Sequence, residues 1–230
     1  MDALRRLPTL ALLLPAIVLS APALAAEPAA PGDAAPRPAS LLAYLDGGLS
    51  LPVHPAEFGE FWNPGWSVGA GLGIPIDPFW QLDAHFRYHR HAADAGRQSG
   101  DLLLSGPGGI LVPVASIDGR DLTILTVVAE LRFLVPTETP QRTWFLSFGA
   151  GAGEVFTSDA IVVSTDETMD PIVIVGDSDA AFASSMGGGV EIDLSEAVRL
   201  TIDSIYTIVF TEQTATQFLP LRIGLAYRVP

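Results

Sequence analysis

The spacing of apolar residues between Leu41 and Pro230 constrains the fold more than any other feature. Apolar residues alternate there with small, polar or charged ones, in segments of about ten residues. A period of two is typical of β-strands whose two faces meet different surroundings. In the last segment every second residue from Leu219 to Val229 is apolar or aromatic. The pattern predicts eight strands, at about residues 41–51, 66–75, 79–90, 121–135, 143–156, 179–193, 197–211 and 218–229.

The connections between these strands alternate in length. Short ones lie at Asp77-Pro78, 136–142 and 194–197, and longer ones at 52–65, 91–120, 157–178 and, less markedly, 212–217. Short turns on one side and long loops on the other are typical of barrels in bacterial outer membranes. We therefore predict an all-β fold, an eight-stranded antiparallel up-and-down transmembrane β-barrel. The even strand number puts both ends of the barrel domain on the periplasmic side.

The first 40 residues lack the alternation and have two parts. A short apolar run follows Arg6, and Ala23-Leu24-Ala25 has the small-x-small pattern of a cleavage site. We interpret residues 1–25 as a secretory signal peptide, because the run is shorter than the ~20 residues of a spanning helix. Residues 26–40 are rich in Pro and Ala, which predicts a flexible periplasmic linker. Residues 41–230 remain as the outer-membrane β-barrel.

The charge and the cysteine count exclude several classes of partner and site. The chain has 12 basic residues, all of them Arg, against 26 acidic ones, and a net charge of −14. Such a chain repels nucleic acid, which argues against a nucleic-acid partner. It has no cysteine, so it holds no disulfide and no lipid-modified cysteine. The glycine runs lie inside strands and open no helix, so they are not phosphate loops, and no cofactor is predicted.

Alternation alone is compatible with two classes of barrel, one in a membrane and one in water, because a soluble barrel of the lipocalin type puts its apolar face inside. The positions of the aromatic residues favour the membrane barrel. With the apolar faces outside, the aromatic residues form two girdles, as the two membrane interfaces require. The periplasmic girdle comprises Trp80, Phe133, Trp144 and Tyr227, and the outer girdle comprises Trp66, Tyr88, Phe156, Phe182 and Phe210.

The opposite face has the composition of a narrow barrel interior. Rows of glycine, such as Gly69, Gly71 and Gly73, weaken a solvated strand but leave space for large side chains from neighbouring strands. The charged residues of this face nearly balance, and two histidines accompany them. The predicted lumen network comprises Asp46, Asp83, His85, Arg87, His89, Glu130, Arg132, Glu191, Asp193, Arg199, Asp203, Arg222 and Arg228.

These charges predict a lumen crossed by Arg–carboxylate pairs, with no continuous water path. A hairpin that joins Thr211 to Phe218 would place Asp203 opposite Ala226 and beside Arg228, with Arg222 further along the face. Closure of the eighth strand on the first would bring Asp46 to the same region. We expect a second set of pairs among Arg87, Glu130 and Arg132, on the third and fourth strands.

Residues 41–230 resemble the small outer-membrane β-barrel proteins, the class that includes the transmembrane domain of outer membrane protein A. The resemblance rests on the signal peptide, the eight alternating strands, the two girdles and the loop asymmetry, and it covers the chain after the linker. It implies an outer-membrane location, with outer-membrane lipid and the barrel-insertion machinery as partners. It carries no specific motif, so it implies no functional residue, and we expect no peptidoglycan-binding domain after the eighth strand.

No catalytic constellation is visible in the sequence. His85 and His89 lie about 13 Å apart on one strand, and no serine is near them in the sequence. A non-catalytic barrel with a structural or surface-interaction role is therefore favoured. A small-solute pore is the second hypothesis, which the charged interior disfavours, and a lipid-modifying outer-membrane enzyme is the third.

Two of the loops contain further strand patterns. Residues 160–163 with 172–175, and 102–104 with 110–114, each flank turn-forming residues and predict hairpins. An exposed edge of these hairpins is a candidate site for a protein partner at the extracellular loops, although the hairpins can also simply pack on each other. The acidic segment 164–170 lacks the spacing of an EF-hand loop, so we interpret it as solvated charge.

Overall fold

The computed structural model describes residues 41–100, 103–105, 111–137, 141–166, 169–212 and 215–229. The predicted signal peptide and linker, residues 1–40, lie outside the described residues. In chain order the elements are β1 (Leu42–His54), α1 (Ala56–Phe61), β2 (Gly65–Pro75), β3 (Trp80–His91), α2 (Ala95–Gly100), β4 (Leu103–Ser105), β5 (Leu111–Gly119), β6 (Leu122–Pro136), β7 (Arg142–Thr157), β8 (Ala160–Ser164), β9 (Ile172–Ile174), β10 (Ser178–Asp193), β11 (Val198–Phe210) and β12 (Ala215–Arg228). In the described part of the chain, neither helix is long and apolar enough to cross a membrane.

Eight of these strands form a closed antiparallel barrel. Its order is β1, β2, β3, β6, β7, β10, β11 and β12, and β12 returns to pair with β1. The closing ladder runs from Leu42, opposite Arg228, to His54, opposite Gln217. The predicted fold class and the eight predicted strands are confirmed.

The predicted register of the last hairpin is wrong. Phe210 lies opposite Ala215, so Asp203 faces Arg222 directly, and Ala226 instead faces Arg199. The last strand continues further toward the loop than predicted, since β12 already begins at Ala215 rather than near Phe218, whereas β11 ends at Phe210. Thr216, a β-branched residue that suits a strand, belongs to this extension.

The long loops carry a second sheet of four strands, in the order β4, β5, β8 and β9. Both predicted hairpins form, with Leu103 opposite Pro113 and Ala160 opposite Ile174. Strands β5 and β8 also pair with each other, which joins the two hairpins. A small apolar cluster of Val114, Ile117, Ala160 and Val162 lies buried within the sheet.

The exterior of the barrel is apolar, and its aromatic residues meet in pairs. In the outer girdle the rings of Trp66 and Tyr88 are 5.3 Å apart, and those of Phe182 and Phe210 are stacked at 5.8 Å. In the periplasmic girdle the rings of Trp80 and Phe133 are 5.0 Å apart. The other predicted girdle residues, Trp144, Phe156 and Tyr227, also occupy outward positions of their strands. Such a belt is the surface that a barrel presents to lipid.

Candidate functional site: the barrel lumen

Most of the predicted network points into the lumen. Ten of its thirteen members are buried, namely Asp46, Asp83, His85, Arg87, His89, Glu130, Arg132, Glu191, Asp203 and Arg222. Asp193 and Arg199 lie at the periplasmic rim, where Arg199 Nε is 2.7 Å from Asp193 Oδ1. Arg228 was expected in the lumen, but its side chain is exposed because it is the last residue of β12. At that position a long side chain reaches water at the rim.

Arg132 is the centre of the largest ion-pair group. Its Nε lies 2.5 Å from Asp83 Oδ2, and its Nη1 lies 3.1 Å from Glu191 Oε1. Its Nη2 is 3.2 Å from His85 Nε2. The guanidinium carbon lies 4.4 Å from the centre of the Phe145 ring, so an aromatic face covers part of the charge. Two carboxylates on different strands thus compensate one fully buried cation.

Tyr44 and Gln81 extend this group, and the sequence analysis did not single them out. The Gln81 amide nitrogen donates to Tyr44 Oη at 2.6 Å and to Asp83 Oδ1 at 2.8 Å. The Tyr44 ring also lies 5.0 Å from the guanidinium of Arg132. Alternation could have found both residues, because each lies two positions from a predicted lumen aspartate on its own strand.

Two smaller groups lie beside the first. Arg87 Nη1 is 2.5 Å from Glu130 Oε1, and Ser147 donates to the second Glu130 oxygen at 2.9 Å. Arg132, which was expected to join this set, instead pairs with the partners given above. In the other group Arg222 Nε donates to Asp203 Oδ1 at 2.7 Å.

Asp46 completes the group around Arg222. Its Oδ1 lies 3.9 Å from Arg222 Nε, because β1 and β12 are neighbours in the closed barrel. The sequence predicted that Asp46 reaches this region, although it assigned the wrong cross-strand neighbour to Asp203.

The glycine row of β2 makes room for the charged side chains of β3. A Cβ atom on Gly71 would lie 2.4 Å from His85 Nδ1, and one on Gly73 would lie 2.2 Å from Asp83 Oδ1. Both distances are shorter than any ordinary contact, so a larger residue would displace the network. The glycines therefore allow the charges to fit within an eight-stranded barrel.

The outer half of the lumen contains a buried apolar cluster, which the sequence analysis missed. Phe58, from α1 in the first long loop, is only 2 % exposed. It packs on side chains from four barrel strands, namely Leu122, Ile124, Val128, Ala183, Val209 and Phe218. A single aromatic residue in a loop has no periodic pattern, so no sequence signal pointed to it. The ion-pair network thus lies toward the periplasm, and the Phe58 cluster lies toward the loops.

A serine does lie beside two lumen histidines, although none is near them in the sequence. Ser50 Oγ is 3.2 Å from both His89 Nδ1 and His91 Nε2. The Phe58 ring lies 5.1 Å from the His91 ring, and the Phe218 ring lies 4.6 Å from the His89 ring.

This trio lacks two properties of a nucleophilic site. Ser50 and His91 are fully buried and His89 is 1 % exposed, so no substrate reaches the hydroxyl in this arrangement. Neither ring has a carboxylate hydrogen-bond partner among the described residues, where His91 Nδ1 instead contacts the Asn63 carbonyl at 3.3 Å. No metal-binding group of three or more His, Cys, Asp or Glu residues occurs in the described ranges.

Comparisons with known proteins give the fold. No protein-family model and no curated protein matches the sequence. The structure is similar to Neisserial surface protein A, with a TM-score of 0.52 and 13 % identity over 82 % of this chain and 97 % of that chain. It also matches Ail, the attachment invasion locus protein of Yersinia pestis, with a TM-score of 0.47 and 14 % identity over 83 % of this chain and 99 % of that chain. The match to the N-terminal β-barrel domain of Pseudomonas aeruginosa OprF has a TM-score of 0.40 and 9 % identity over 81 % of this chain and 97 % of that chain.

The fold is thus that of the small eight-stranded outer-membrane β-barrels. The lipid-facing belt and the two girdles agree with this fold and place the protein in an outer membrane.

Proposed function

We propose that the protein is a non-catalytic outer-membrane barrel with a closed lumen, and that its role is structural or is exerted through its extracellular surface. The observation that carries the proposal is the occupied interior. Buried ion pairs cross the periplasmic half, and the Phe58 cluster occupies the outer half together with the buried side chains of Ser50, His89 and His91. An eight-stranded barrel is only wide enough for its own side chains, so these two layers leave little space for a solute path.

The extracellular sheet supports a surface role. Strand β9 pairs with β8 on one side only among the described residues. Its side chains and the next residue are exposed and apolar, from 38 % at Ile174 to 77 % at Val175. An exposed apolar edge can accept a strand from another protein through backbone hydrogen bonds. Outer-membrane lipid and the barrel-insertion machinery are the other partners in this proposal.

A conductance measurement tests the closed lumen. The purified barrel, reconstituted in a planar lipid bilayer, is expected to give no channel openings, whereas a porin in the same bilayer serves as the positive control. Slower migration after boiling, in a detergent gel, shows beforehand that the preparation is folded. Regular openings of the folded protein would replace this proposal with the small-solute pore.

A further inference from the structure

A cavity of about 790 Å³ opens at the loop end of the barrel. Its lining includes Phe58, Leu122 and Val155, which also belong to or pack on the buried apolar cluster of the outer lumen. The apolar cluster is therefore the floor of the cavity and separates it from the charged network. We call this cavity the vestibule. Its volume lies in the range of sites for small organic molecules.

One wall of the vestibule is aromatic. Phe61 and Trp62 line it beside Phe58, and the Trp62 ring meets the other two edge-to-face, at 6.3 Å and 5.9 Å. Trp62 Nε1 donates to the carbonyl of Arg120 at 2.9 Å, which fixes the orientation of the indole. Aromatic faces held in place in this way attract organic cations.

The rim of the vestibule, at the ends of β10 and β11, is acidic. Asp177, Asp179 and Glu212 line the vestibule, and none of its lining residues is basic. Asp179 Oδ2 accepts the backbone N–H of Glu212 at 2.9 Å, so two of the acidic residues are held together at the ends of β10 and β11. No ion pair within the described residues neutralises these three carboxylates. The vestibule thus combines uncompensated negative charge with an aromatic wall.

We propose that the vestibule binds small organic cations that carry an aromatic or apolar body. The cationic group lies between the acidic rim and the aromatic rings, and the body covers the apolar floor. This inference deepens the surface role of the proposed function and rests on it, since the floor is part of the closed lumen.

Calorimetric titration of the full barrel in lipid nanodiscs tests the site, with benzyltrimethylammonium as the probe. Benzenesulfonate, an aromatic anion of similar size, is the matched control. The cation is expected to bind and to lose affinity as the salt concentration rises, because salt screens the exposed carboxylates. The anion is expected not to bind. Equal binding of both probes, or no binding of the cation up to about 10 mM, overturns the inference.

Variants assign the binding to the vestibule. The double substitution Asp177→Asn with Glu212→Gln is expected to lower the affinity for the cation about tenfold, and Phe61→Leu to lower it severalfold without changing the charge. Asp170→Asn removes one exposed loop carboxylate that does not line the vestibule and is expected to leave the affinity unchanged. Equal affinity in the double variant and the control would overturn the inference.

The two proposals fail separately. If the folded barrel neither conducts nor binds the cation, the closed lumen is supported and only the vestibule site is contradicted. Channel openings in the unmodified protein overturn the closed lumen, whatever the titration shows.

Discussion

Each buried charge in the lumen depends on a particular partner, and the Asp203–Arg222 pair offers the simplest test. Asp203→Ala leaves Arg222 with Asp46, at 3.9 Å, as its nearest carboxylate among the residues that the structure describes. We expect a loss of ~3–5 kcal/mol in the free energy of unfolding, because a buried cation without a close partner is strongly destabilising. Urea unfolding of the barrel in lipid vesicles measures the change.

A double variant tests whether the loss of stability comes from an unpaired buried charge or from any substitution at these positions. Replacing both residues, as Asp203→Leu with Arg222→Met, removes both charges and is expected to cost much less than Asp203→Ala alone. Arg228→Ala, at the exposed end of the same strand, is expected to change stability by less than about 0.5 kcal/mol. A small effect of Asp203→Ala would mean that water already solvates this site.

Arginine substitutions at two isoleucines of nearly equal exposure test which surface faces lipid and which faces water. Ile202 on the barrel is 44 % exposed, and Ile161 on the extracellular sheet is 46 % exposed. Ile202→Arg is expected to destabilise the barrel by ~2–4 kcal/mol, because it places a charge near mid-membrane. Ile161→Arg is expected to change stability by less than about 1 kcal/mol, since its side chain meets water. Equal unfolding free energies for the two variants would contradict the proposed position of the membrane.

The short helix α1 contributes to the packing of the barrel interior, because it carries Phe58 into the buried apolar cluster. Phe58→Ala is expected to cost ~3–5 kcal/mol of unfolding free energy, since it leaves a cavity within a packed apolar cluster. Conductance is expected to remain absent, because the charged layer below is unchanged. Phe61→Ala, on the same helix but not in the buried cluster, provides the comparison for stability. A conducting Phe58→Ala barrel would show that α1 alone closes the lumen.

The strands could be predicted from the sequence because the signal for each is local. Alternation within one segment shows which residues point inward, as at Asp83 and Arg132, whatever the segment pairs with. Which residue lies opposite an inward-pointing side chain depends on the strand register, which is set by where the turn between two strands ends. Because β12 begins at Ala215, Asp203 lies opposite Arg222 and not opposite Ala226. The partners of Arg132 come from β3 and β10, which pair with different strands, so no pattern in one segment predicts them.

At the scale of the whole molecule the barrel is divided along its axis. The ion-pair network lies in the periplasmic half of the lumen, the Phe58 cluster lies in the outer half, and three acidic residues line the vestibule above it. This order keeps the buried charges paired and away from the loop surface. Most of the acid excess of the chain, 26 acidic against 12 basic residues, thus lies outside the lumen, whose buried network has five carboxylates and three arginines.

Barrel closure predicts the behaviour of the whole protein in a membrane. Every barrel strand has two hydrogen-bonded neighbours, because β12 pairs with β1 along most of its length. A closed barrel with a lipid-facing belt is expected to fractionate with outer membranes, to resist extraction by carbonate, and to migrate faster in a detergent gel before boiling than after it. A chain that ends at Glu212 lacks β12 and cannot close, so it is expected to lose this heat-dependent shift. Recovery of the intact protein in the soluble periplasmic fraction would instead support the soluble barrel.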